Sequence, residues 1–99
     1  MIVRIWKGLA KAGSAGDYVQ HLRNETLAKL YEMKGFIEMK ILQRAVGNGI
    51  EFLIMTFWED LDSIEQFAGR DPTKAVVPDT VQEWMIGYDS EVRHYELSS

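Results

Sequence analysis

Cysteine is missing from all 99 residues. Its absence removes disulfides, thiolate nucleophiles and thiolate metal sites, and leaves the compartment open. Basic runs are missing too: no more than two basic residues ever adjoin, and the formal charge is −4 with a pI near 5.1. That balance excludes the electrostatic footprint of a nucleic-acid binder. No stretch approaches the ~20 apolar residues of a membrane span, and Met1 to Lys7 lacks a signal peptide's apolar run, so a soluble, cytoplasmic protein is expected. Metal-ligand spacing is absent: there is no His-x-x-x-His and no grouping of paired carboxylates with histidines. Gly8, Gly13 and Gly16 do not make a dinucleotide fingerprint, and the serines lie in caps, loops and a tail without a nucleophile elbow. Neither a metal nor a cofactor is expected. With two prolines and eight glycines, no low-complexity segment or interdomain linker divides the chain, and its length suits one domain, 1–99, with a single modest core.

What is present is a strong hairpin. Gly35 to Val46 and Ile50 to Trp58 are β-rich runs joined across Gly47-Asn48-Gly49. The loop places even positions of one strand beside odd positions of the other. One face then carries Ile37, Met39, Ile41 and Gln43 with Ile50, Phe52, Ile54, Thr56 and Trp58, a core face for helices to cover. The opposite face carries Phe36, Glu38, Lys40, Leu42 and Arg44 with Glu51, Leu53, Met55 and Phe57, too apolar for water alone. If the loop is Gly47-Asn48, Arg44 lies opposite Glu51 as a favourable cross-strand pair.

Around the hairpin, Ile2 to Leu9 alternates as a first strand. Asp17 or Ser14 caps a helix running to about Met33, with Val19, Leu22, Thr26, Leu30 and Met33 inward. The stretch Glu59 to Gly69 predicts a short helix, with Asp62 and Glu65 at capping-box spacing, Leu61, Ile64, Phe67 and Ala68 inward and Gly69 closing it; a second short helix is expected from Pro78 to about Met85, and a last strand over 91–97. The element order β-α-β-β-α-β predicts a ferredoxin-like α+β fold: a four-stranded antiparallel sheet with helices on one face. The face bearing Leu42, Leu53, Met55 and Phe57 then predicts a homodimer formed through the sheets, as a closed barrel between protomers.

Thr56-Phe57-Trp58-Glu59 ending a strand, the helix Ser63-Ile64-Glu65-Gln66-Phe67, the segment Lys74-Ala75-Val76-Val77-Pro78 and the closing Val92-Arg93-His94-Tyr95-Glu96 together resemble the antibiotic biosynthesis monooxygenase (ABM) family. The resemblance spans essentially the whole chain. It implies a dimeric α+β barrel with a pocket in each protomer between sheet and helices. Some members oxidise polycyclic aromatic or quinol substrates with molecular oxygen and without metal or flavin, others break down haem, and many small ones have no assigned activity. The haem-degrading branch carries an Asn on its first strand, where this chain has Arg4 and Trp6 and no asparagine.

His94 is the candidate catalytic residue, as a base near neutral pH or a hydrogen-bond partner; the alternative is a satisfied histidine at a strand edge or seam. Trp58, Trp84, Trp6 and Thr56 are the candidate substrate-binding residues, and each tryptophan could equally be core. His21 stands four residues before Glu25, where a pair on a solvated helix face explains it. The expectation is a cofactor-independent monooxygenase acting on a small apolar aromatic or quinol. The alternatives are a non-catalytic dimeric ligand-binding or structural module, and a haem-binding protein using His94.

Overall fold

In the computed structural model, which describes residues 1–99, the hairpin forms strands β2 (Phe36–Val46) and β3 (Gly49–Trp58). Gly47 takes φ +56° and Asn48 stays at negative φ, the arrangement of a type II′ turn with glycine first. Met39 pairs with Thr56, Ile41 with Ile54 and Arg44 with Glu51, so the expected register holds over most of its length. Arg44 Nε donates to Glu51 at 2.6 Å, which holds the Glu51 carboxyl below its usual range and raises the guanidinium. At the far end the register shifts between Phe36 and Glu38. This bulge turns Phe36 onto the core face, where its ring meets Trp58 at 5.3 Å, and leaves Ile37 37 % exposed instead of inward.

Strand β1 (Ile2–Lys11) runs antiparallel to β3, with Arg4 opposite Thr56 and Trp6 opposite Ile54. On its other edge lie β4 (Met85–Tyr88) and β5 (Arg93–Glu96), two short strands interrupted at 89–92. The sheet therefore has five strands in four positions, ordered β2-β3-β1 and then β4 with β5. It is a mixed α+β fold, with a central sheet and helices on one face. The expected barrel is not formed: β2 pairs only with β3, and β4 and β5 pair only with β1, so the sheet is open at both edges. Closing a barrel requires the two edge strands to pair, and β2 stands at the opposite end of the sheet from β4 and β5.

The first helix is one continuous element of mixed pitch. It comprises a 3₁₀ turn at Ala12–Ser14, α1 (Ala15–His21), a wider i→i+5 stretch at Leu22–Thr26 and α2 (Leu27–Tyr31). Neither Ser14 nor Asp17 caps it: Ser14 makes no side-chain cap bond, and Asp17 lies within the first turn. Tyr18, Leu22 and Leu30 are its buried residues. The second helical layer is broken into α3 (Leu61–Ala68) and α4 (Asp79–Trp84). Asp60, rather than Asp62, caps α3 by accepting from the Ser63 N–H at 2.8 Å.

These elements make two core clusters. One gathers Ala10, Tyr18, Leu22, Phe52, Ile54, Val81 and Met85; the other gathers Leu30, Trp58 and Ile64. Between α3 and α4 no helix covers the sheet, and the connector 70–78 crosses the gap instead.

Candidate functional site

The break in the helical layer leaves a cavity between the two clusters. Its floor belongs to a sheet row that the register sets side by side, Arg4 on β1, Thr56 on β3 and Met39 on β2, with His94 on β5 continuing the row beyond the cavity. Arg4, Thr56 and Met39 of this row line the cavity together with Trp6 of β1, with Tyr18, His21, Leu22, Thr26 and Leu30 along the first helix side and Val76, Pro78 and Val81 toward the connector. The wide turn Leu22–Thr26 follows directly on His21 and contributes both of its end residues to this wall. The void measures about 70 Å³. That admits a few waters and is smaller than the ~150 Å³ apolar cavity that accepts benzene.

Arg4 is the unexpected residue. It is 4 % exposed, yet no carboxylate faces it. Nη1 donates to the Pro72 carbonyl and lies 3.3 Å from His94 Nε2; Nη2 donates to the Lys74 carbonyl at 2.7 Å; the guanidinium carbon sits 5.6 Å from the Phe67 ring centre. Burial without a counter-ion lowers its pKa to about 10. Thus one side chain pins the connector over the cavity and puts a positive charge at the floor. The Val92 N–H to Thr73 and Ala75 N–H to Ser90 bonds hold the same connector from the sheet edge.

His94 lies behind Arg4 and does not line the cavity. Its pKa is lowered by burial first and by the Arg4 charge second. Since the guanidinium can only donate, Nε2 of the neutral ring accepts from it. Trp58 is wholly buried and does not line the cavity either; its indole N–H donates to Thr56 Oγ1 at 2.9 Å. Trp84 stands outside the cavity, edge-on to His21 at 5.5 Å and near Tyr18 at 6.3 Å. Trp6 does line it, and its orientation has two causes. Its N–H donates to the Asp89 carbonyl at 2.8 Å, and its ring folds over Gly8, where a Cβ would come within 2.4 Å of it. So the structure brings Trp6 and Thr56 to the cavity, while Trp58, Trp84 and His94 surround it at one remove.

His21 was not expected there. Its Nδ1 meets Glu25 Oε2 at 2.6 Å, as the i,i+4 spacing requires, but the ring is mostly covered and lines the cavity beneath Trp84. The buried Tyr18 phenol, raised in pKa by desolvation, stays neutral beside it. No group of three or more His, Cys, Asp or Glu side chains is placed to hold a metal ion.

An open antiparallel sheet of this strand order, covered on one face by a broken helical layer, defines an α+β sandwich with its cavity between the layers. The model of the family described as antibiotic biosynthesis monooxygenase matches residues 1–79, and the chain belongs to that family. Among solved structures, a Bacillus cereus protein described as a candidate antibiotic biosynthesis monooxygenase is similar, with 18 % identity and a TM-score of 0.67 over 99 % of this chain and 91 % of that one. A conserved protein from Methanosarcina mazei Go1 is similar at 19 % identity and a TM-score of 0.69, over 95 % and 89 % of the two chains. At these identities the likeness extends to the fold. A comparison with curated proteins finds no match. No helix is long and apolar enough to cross a membrane.

Proposed function

We propose that the chain is a monooxygenase that oxidises a small aromatic or quinol-type compound in the cavity between sheet and helices, without a cofactor. The observation that carries this reading is the cavity-lining His21 in a mostly apolar pocket: Glu25 holds His21 at Nδ1 and leaves Nε2 without a protein partner. In that arrangement Nε2 takes a phenolic proton and the carboxylate stabilises the imidazolium that forms. The quinolate is electron-rich enough to reduce dioxygen. One oxygen atom enters the ring and the other leaves as water, giving a hydroxyquinone, so the quinol supplies every electron and no external reductant is needed. His94, the base expected from sequence, acts in this reading through Arg4, whose guanidinium it orients. Trp6 and Thr56 contact the substrate, while Trp58 and Trp84 hold Thr56 and His21 in place.

Oxygen uptake with a panel of quinols tests the reaction. The wild type consumes oxygen, and His21→Ala loses about a hundredfold or more of the rate. Uptake no faster than buffer, or a His21→Ala variant as fast as wild type, would refute it. The engagement of His94 with Arg4 and of Trp58 with Thr56, with His94 and Trp58 both away from the cavity lining, supports a second reading, a non-catalytic binding module in which quinols bind and no oxygen is consumed.

The outer sheet face supports a homodimer. Leu42, Val46, Ile86 and Tyr95 are exposed there, beside the half-buried Ile5, Leu9, Leu53 and Met55. Sedimentation is expected to give twice the chain mass, and Leu53→Glu a folded monomer; a wild-type monomer at micromolar concentration overturns this pairing.

A further inference from the structure

Arg4 occupies a position that the reaction above does not explain. Buried charges in proteins are normally paired, because removing a cation from water without an anion nearby is costly. Here the surroundings offer two carbonyl oxygens, one neutral imidazole and one aromatic face. These supply partial charges and no formal negative charge. A guanidinium has five N–H donors, and the hydrogen bonds to Pro72, His94 and Lys74 use three of them. Nε–H has no protein partner. Since no buried side-chain nitrogen in the chain lacks one, Nε reaches open space. The residue lines the cavity, and the phenolic Tyr18 and the hydroxyls of Thr26 and Thr56 are the other polar groups there besides His21. None of them is an anion.

We propose that the cavity selects an aromatic compound carrying an acidic oxygen group, bound as its anion, with Arg4 as the counter-charge. This rests on the reading of the cavity as the ligand site and names the ligand's class. The selectivity is local, since the chain as a whole carries a net charge of −4 and its long-range field opposes an anion. The ring lies against Trp6, Met39, Leu22 and Ile54, and the anionic oxygen takes the guanidinium donors that the protein leaves unused. Since a benzene-sized ring exceeds the void of about 70 Å³, its entry displaces the connector that the same side chain holds through the Pro72 and Lys74 carbonyls.

Benzoate and its neutral isostere benzamide are the probes, titrated against the intact protein by calorimetry and by Trp6 fluorescence, with Trp6→Phe as the control for site. Benzoate is expected to bind about tenfold or more tightly than benzamide, and Arg4→Gln to erase the preference. Arg4→Lys keeps the charge without the fork, so it retains a reduced preference; with the wild-type pair it decides the matter if Arg4→Gln does not fold. Equal binding of benzamide and benzoate overturns the anion assignment and leaves the cavity as an aromatic site. Binding of neither probe, with no quinol-dependent oxygen uptake, overturns both. An undiminished preference in folded Arg4→Gln also overturns the role of Arg4.

Discussion

The hydrogen bond from Trp58 to Thr56 couples the deeper core cluster to the cavity floor, and a double-mutant cycle isolates it. Thr56→Val keeps the shape of a side chain that is 6 % exposed but removes the acceptor of an indole N–H at 2.9 Å. Trp58 is fully buried among Leu30, Ile64 and Phe36, so that donor finds no water in place of the hydroxyl. A buried donor left alone costs about 1–3 kcal/mol. For a chain of this size each kcal/mol lowers Tm by roughly 4–8 °C. Trp58→Phe removes the donor and part of the ring, and it costs about 1–3 kcal/mol through the space it leaves. The Thr56 hydroxyl survives that change better, because it borders the cavity. The double variant has no orphaned donor, so it is more stable than the sum of the single losses predicts, with a coupling of about 1 kcal/mol or more. Urea denaturation followed by far-ultraviolet circular dichroism gives all four stabilities. A neutral Thr56→Val, or strict additivity, would refute the claim that this bond holds the floor.

Gly8→Ala places a Cβ on the ring of Trp6, and the indole must swing from the Asp89 carbonyl; a loss of about 1–3 kcal/mol is expected, together with a changed Trp6 emission, and an unaltered spectrum contradicts the packing. His94 carries a lowered pKa in the folded chain because of burial and Arg4. The unfolded chain therefore takes up the proton first as acidity rises, and stability is full above the ordinary histidine range and falls as pH drops from there through the folded value. His94→Gln flattens this segment of the stability–pH curve; the same slope in wild type and variant is the contrary result.

Much of the fold is legible because its signals are local. The Gly47-Asn48-Gly49 turn sets the hairpin register, and that register predicts the Arg44–Glu51 pair. The bulge between Phe36 and Glu38 has no such signal, since Phe36 and Ile37 are equally apolar and tertiary packing on Trp58 decides between them. Strand β4 is hidden for a similar reason: Met85 to Tyr88 is four residues, paired by β1 and not by its own pattern. The barrel expectation fails because the strand pattern predicts four positions but does not display whether the two edges of the sheet meet. Among the site residues, Trp6 and Thr56 are legible as core-face residues beside the helices. Arg4 is legible by parity: an arginine between Ile2 and Trp6 faces the same way as they do, inward, where a charge is exceptional. His21 carries no such signal, because its spacing from Glu25 is the same for a solvated pair as for one on a cavity wall, and only the position of Trp84 over the ring separates the two.

The central claim is that an aromatic ligand enters between the sheet and the first helix, over the row formed by Arg4, Thr56 and Met39. An anaerobic titration with hydroquinone, followed by ¹⁵N–¹H correlation spectra, locates the ligand directly. The account predicts that the amides of His21, Thr26, Thr56 and Val76 shift together and saturate with one affinity. Shifts gathered instead on Leu42, Leu53 and Met55 of the outer face, or none at saturating ligand, would contradict it.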